Sequence, residues 1–128
     1  MPRATRETWK IGTATAFRDD RGVLAPMELA GLISHPARFF WIRNVPPGAR
    51  RAGHAHRSSS ELVIVLSGSV DAVLREPGGQ PHREHMTEDQ WLLIPPGHFV
   101  TLERFTAGTV LGVLATGPYD TDEIETSD

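Results

Sequence analysis

Apolar and polar residues alternate with a period of two along much of the chain, in short runs separated by turn residues, and no helical period persists beyond a turn or two. The most strand-like run of the first half is RFFWIRNV, residues 38–45, with Arg38, Phe40, Ile42 and Asn44 on one face and Phe39, Trp41, Arg43 and Val45 on the other. Pro46-Pro47-Gly48 stops it. Residues 61–66, ELVIVL, are β-branched and aliphatic and are bounded by Ser67-Gly68-Ser69, which predicts a central strand. Further strands are predicted over 70–75, 91–94, 99–102 and 109–115, the last with Gly112 marking a close backbone approach. Upstream, residues 8–17 predict a strand broken at Gly12, Asp19 to Gly22 a turn, and residues 23–29 a strand that Pro26 pushes toward an edge. The polar stretch QPHREHMTEDQ, which carries His82 and His85, lacks a pattern and predicts a solvated loop. The end TDEIETSD predicts a short helix or a frayed tail. Short strands at regular spacing with turns between them make an all-β sandwich or barrel. Phe39, Phe40, Trp41 and Trp91 are expected in its core, and Tyr119, the single tyrosine, is expected to pack near the C-terminal edge.

A chain of 128 residues is long enough for one core and too short for two, so residues 1–128 are expected to form a single domain with an acidic tail over about 120–128. Hydrophobic residues at 39% and charged residues at 23% are an ordinary globular balance. No apolar run is long enough to cross a bilayer, and the start MPRATRETWK lacks a signal-peptide core, so a cytoplasmic protein without a membrane partner is expected. With no cysteine, disulfides, thiolate zinc sites and a cysteine nucleophile are excluded, and His, Asp and Glu remain as metal ligands. Five acids, Asp120, Asp122, Glu123, Glu125 and Asp128, lie in the last nine residues, and without them the net charge of -3 becomes +2. Of the 13 basic residues 12 are arginine, and Arg50, Arg51 and Arg57 bracket a histidine pair, a setting that favours an anionic ligand such as a phosphate. A net-acidic chain without a dense basic stripe is not expected to bind nucleic acid.

The histidine pair is the centre of the pattern. From Gly48 to Gly68 the chain reads GARRAGHAHRSSSELVIVLSG: glycine, five residues, His54-Ala55-His56, four residues, Glu61, six residues, glycine. Those spacings fill the fixed positions of the first cupin motif and predict a small cupin jelly-roll barrel. Histidines at i and i+2 on an extended segment share a face, and the following strand brings Glu61 back toward them inside the barrel.

A wider set of motifs resembles one group of cupins. RAGHAH, nine residues, then LSGSV, followed by LIPPG and VLATGPYD, with DDRGVL and RFFWIRNVPPG upstream, is similar to the sugar 3,4-ketoisomerases that act on a dTDP-4-keto-6-deoxyglucose, over roughly residues 15 to 125. The resemblance implies a homodimer with exchanged N-terminal strands and a reaction that needs no metal cofactor. It implies that His54 and His56 carry a proton between C3 and C4 through an enediol and that Arg51 and Arg38 hold the diphosphate; Glu61 is expected to orient a histidine or touch the sugar, and Arg43 to contact the substrate. An imidazole suits such a step, because its pKa lies near neutrality and a ketone acidifies the adjacent C–H. The chain departs from the group at several places: Phe40, Trp41 and Arg43 stand where tyrosines are typical, Val100 follows Phe99 where an arginine is common, and Glu61 replaces a glutamine.

Glu61 opens a second reading. His54, His56 and Glu61 are three of the four ligands of a metal-binding cupin and suit Fe, Mn, Ni or Zn. The fourth ligand is expected at the third residue after Pro-x-Gly, which here is Val100; His98, two residues earlier, substitutes only if its turn aims it inward. The expected function is a nucleotide-sugar ketoisomerase that converts a dTDP-4-keto-6-deoxyhexose to the 3-keto sugar. The alternatives are a related nucleotide-sugar epimerase, or a metal-binding cupin acting as a dioxygenase or a small-molecule binder.

Overall fold

A computed structural model describes residues 8–117, 122 and 124–126. Its strands are β1 (Lys10–Thr13), β2 (Phe17–Asp19), β3 (Gly22–Leu24), β4 (Arg38–Arg43), β5 (Arg51–His56), β6 (Glu61–Ser67), β7 (Ser69–Arg75), β8 (Pro81–Thr87), β9 (Gln90–Ile94), β10 (Phe99–Glu103), β11 (Val110–Ala115) and β12 (Ile124–Thr126). They form two five-stranded antiparallel sheets, ordered β1-β9-β6-β11-β4 and β12-β5-β10-β7-β8, with β2 and β3 as a separate hairpin. This is the cupin-like sandwich expected from the alternation. Strand β6 is central in its sheet, as its unbroken apolar run requires. The core lies between the sheets, where Val63, Val65, Leu92, Ile94, Leu111 and Val113 of one meet Val70, Ala72, Leu74, Met86, Val100 and Leu102 of the other. Among the described residues no helix is long and apolar enough to cross a membrane.

Several local expectations are corrected. The expected loop through His82 and His85 is strand β8, paired residue for residue with β7 from Arg75↔Pro81 to Ser69↔Thr87. It is an edge strand in which Met86 alone is fully buried, so it needs no apolar period to hold its place. The C-terminal end places Ile124 to Thr126 as a strand on β5, not a helix or a frayed tail. Residues 23–29 are extended only to Leu24. Gly12 does not break β1; it sits opposite Trp91, whose ring a Cβ there would meet at 2.3 Å. Phe39 and Trp41 are 54% and 59% exposed rather than in the core, because they project from the outer face of edge strand β4, which no second layer covers among the described residues. Phe40 and Ile42, on the inner face, do pack against the core. Gly112 admits the side chains of Phe39 and Leu66, which an added Cβ would meet at 3.3 and 3.4 Å. Tyr119 lies outside the described residues.

Candidate active site between the two sheets

Strand β5 brings its histidines inward because alternate residues of an extended chain share a face. The rings of His54 and His56 sit 5.1 Å apart, edge to face. Glu61 opens β6 and turns back to them, so that His56 Nε2 and Glu61 Oε2 are 3.1 Å apart with both side chains 8% exposed. That separation suits an ion pair, but the angles fall outside hydrogen-bond geometry, and neither ring nitrogen of His56 has a hydrogen-bond partner among the described residues. A buried imidazole with unmet bonding capacity costs stability and is characteristic of a site that expects a ligand.

Arg51, His54 and Glu61 line a cavity of about 80 Å³ whose other walls are apolar, including Phe40, Ile42, Val63, Ile94 and Val100. Three larger clefts, of about 510, 400 and 330 Å³, contain no histidine. We place the chemistry in the smaller cavity because the ionisable groups converge there between apolar walls. Burial pushes the His54 imidazole below its ordinary value; the Glu61 carboxylate opposes this, and His56 and Arg38 add to it. His54 is therefore a neutral imidazole at neutral pH, able to accept a proton.

The expected site residues divide. His54, His56, Glu61 and Arg51 come together. Arg38 begins β4 on its inner face, with its guanidinium 5.2 Å from the Phe40 ring centre, near enough to act on His54. Arg43 ends β4 on the outer face with Phe39 and Trp41, away from the cavity. His98 does not join the cluster: it is 2% exposed, its Nδ1 lies 3.2 Å from the Pro96 carbonyl oxygen, and its Nε2 faces Glu76 at 4.0 Å. The turn at Pro96-Gly97 aims it toward the end of β7, so the expectation of a fourth ligand from His98 is corrected. Val100 instead occupies the wall beside His54 and offers no donor atom. His54, His56 and Glu61 each offer a ligand atom within 4.8 Å of the others, so three residues could hold a divalent cation. Sequence reasoning missed the cavity walls at Phe40 and Ile42, although their shared parity with Arg38 was available as a signal.

The sequence family described as FdtA: WxcM-like, C-terminal matches residues 7–127. The chain belongs to that family. A search of curated proteins finds no match. Among solved structures, a double mutant of the QdtA 3,4-ketoisomerase from Thermoanaerobacterium thermosaccharolyticum in complex with TDP is 26% identical, with a TM-score of 0.86 over 96% of this chain and 90% of that one. The WlaRB TDP-quinovose 3,4-ketoisomerase from Campylobacter jejuni is 27% identical, with a TM-score of 0.83 over 95% of each chain. The dTDP-4-dehydrorhamnose 3,5-epimerase from Bacillus anthracis shares the fold at 18% identity, with a TM-score of 0.81 over 92% of this chain and 77% of that one.

Proposed function

We propose that the chain is a nucleotide-sugar isomerase that converts a dTDP-4-keto-6-deoxyhexose to the 3-keto sugar. The observation that carries this reading is the pair of imidazoles 5.1 Å apart beside an apolar cavity, in a family whose solved relatives are named 3,4-ketoisomerases. The C4 ketone acidifies the C3–H bond. A neutral imidazole takes that proton, the C–H electrons form the C3=C4 bond, and the negative charge moves to O4. Transfer of the O3 proton to O4 through the enediol and return of a proton to C4 leave the ketone at C3 and a hydroxyl at C4. His54 and His56 share the acid and base roles, each worth about 10²–10⁴ in rate. Arg51, exposed at the cavity edge, and Arg38 hold the diphosphate through charge-assisted hydrogen bonds. Glu61 steers His56. A homodimer belongs to the same reading, since Phe39, Trp41 and Leu66 leave an apolar outer face that a second copy would cover. A cytoplasmic location completes it. An epimerase would begin with the same proton abstraction and is separated by its product.

The second reading is a metal-binding cupin, favoured by the ligand atoms of His54, His56 and Glu61 lying within 4.8 Å of one another. Elemental analysis of untagged protein, beside a thermal-shift titration with dTDP, separates the two. The isomerase reading expects metal below about a tenth of an equivalent and stabilisation by dTDP, about 2.7 kcal/mol at about 100 times Kd. Near-stoichiometric Fe, Mn, Ni or Zn with no response to dTDP would overturn it in favour of the metal site.

A further inference from the structure

Arg51 and His54 are three residues apart on β5, yet both line the cavity. In a regular strand such residues face opposite sides. The partner strand shows how this is reconciled. On β10, Leu102 and Val100 are two residues apart, both line the cavity, and they oppose Arg51 and His54 respectively, with an irregular register between Val100 and Thr101. Strand β5 therefore spends one residue more than β10 over the same span, which is a β-bulge. The extra residue is carried by Ala52 at φ 66° and Gly53 at φ 73°, both in the left-handed region. An alanine is unfavourable there. A Cβ on Gly53 would meet nothing within 4 Å, so the backbone conformation, and not lack of space, sets which residues fit. Arg50, on the other side of the strand, has its Nε 3.6 Å from Glu103 Oε2 in an outer-face network. Were β5 regular, the alternation would shift by one residue and Arg51 would leave the cavity.

We propose that the Ala52–Gly53 bulge is a positioning device that puts a guanidinium and an imidazole on one wall, so that the site reads an anionic group and a reacting carbon in the same ligand. Resting on the isomerase reading, this gives the bulge the task of holding the diphosphate at Arg51 and the keto ring at His54 along one wall. Gly53 and Ala52 act through Arg51 and touch no reacting atom.

The test compares Gly53→Val with Gly53→Asn, side chains of similar size that differ in their tolerance of a left-handed backbone. The readouts are dTDP affinity by calorimetry and the kcat and KM of the 4-keto sugar. Gly53→Val should weaken dTDP binding by about ten- to a hundredfold, as loss of a hydrogen bond to a charged group does. Arg51→Ala should do the same, and the two changes combined should cost no more than either alone. Gly53→Asn should bind within about threefold of wild type. If Gly53→Val does not fold, Gly53→Ala repeats the comparison with a smaller loss and the same non-additivity with Arg51→Ala. Gly53→Val binding dTDP as tightly as wild type, or losses that multiply with those of Arg51→Ala, overturns the bulge proposal alone. A wild-type protein that ignores dTDP overturns the isomerase reading and the proposal with it.

Discussion

Two of the histidine–carboxylate pairs, His85 with Asp71 and His56 with Glu61, differ in surroundings more than in contact distance. On the outer face, His85 Nδ1 and Asp71 Oδ1 are 2.6 Å apart; in the cavity, His56 Nε2 and Glu61 Oε2 are 3.1 Å apart. The outer contact is shorter, but the His85 side chain is 62% exposed, and Asp71 also accepts from Arg83 at 2.9 Å, with Arg104 at 3.7 Å. Its bonding capacity is filled and its histidine is screened by water. The inner pair has both side chains 8% exposed, a second imidazole beside it and apolar walls. Burial works in opposite ways on the two regions. It pushes His54 down and leaves it neutral, whereas at Asp71 burial alone would raise the carboxyl and is outweighed by hydrogen bonds from His85 and Arg83, which hold it below its usual value. A short ion pair marks a structural joint; a longer, buried and incompletely satisfied one marks the reactive place.

The largest expected effect is on turnover. Replacing His54 and His56 singly by Asn should lower kcat by about 10²–10⁴ for at least one of them, whereas His85→Asn should leave kcat within about twofold. Equal losses at His85 in a steady-state assay would erase the distinction between the two regions. Next in size, Asp71→Asn takes the carboxylate from His85 and leaves Arg83 only its contact with Glu103, and should cost about 1–3 kcal/mol in urea unfolding, with kcat retained. Glu61→Ala removes the group that faces His56; it should lower kcat by about tenfold and, in a metal-binding titration, remove affinity for divalent cations. No change in kcat would take Glu61 out of the account.

The smallest effect is a pair of pH windows. The unfolded chain protonates His54 below about pH 6.5 while the folded chain resists, so stability is full above that pH and falls as pH drops toward the lower folded value. His54→Asn should remove that slope from the dependence of unfolding free energy on pH. Asp71, held low in the fold, contributes stability that persists above about pH 3.9 and is lost only below it. His85→Asn should narrow the acid window, because it removes one of the two hydrogen bonds that hold the Asp71 carboxyl low, and an unchanged acid limb in the unfolding free energy would take that bond out of the account.

Much of the barrel was legible because alternation and turn residues report strands directly, and His54, His56 and Glu61 were legible because their spacing is fixed by strand geometry. What escaped depends on partners. Strand β8 has solvent on one side and β7 on the other, so its order comes from pairing with Val70, Asp71 and their neighbours rather than from its own apolar residues. Alternation placed Phe39 and Trp41 on one face of β4 but did not say that this face lacks a covering layer. His98 could be given only a conditional place, because the turn at Pro96-Gly97, not the residue count, decides where it aims. The bulge at Ala52–Gly53 exists only in register with β10, which no reading of β5 alone reveals.

The most direct measurement of the central claim is NMR of dTDP-4-keto-6-deoxyglucose incubated with metal-free protein in D₂O. The account predicts appearance of a 3-keto sugar with deuterium at C4 and slow exchange at C3 of the substrate, both lost when His54 and His56 are replaced together by Asn. An unchanged substrate spectrum with no deuterium at either carbon, from protein that binds dTDP, would contradict it.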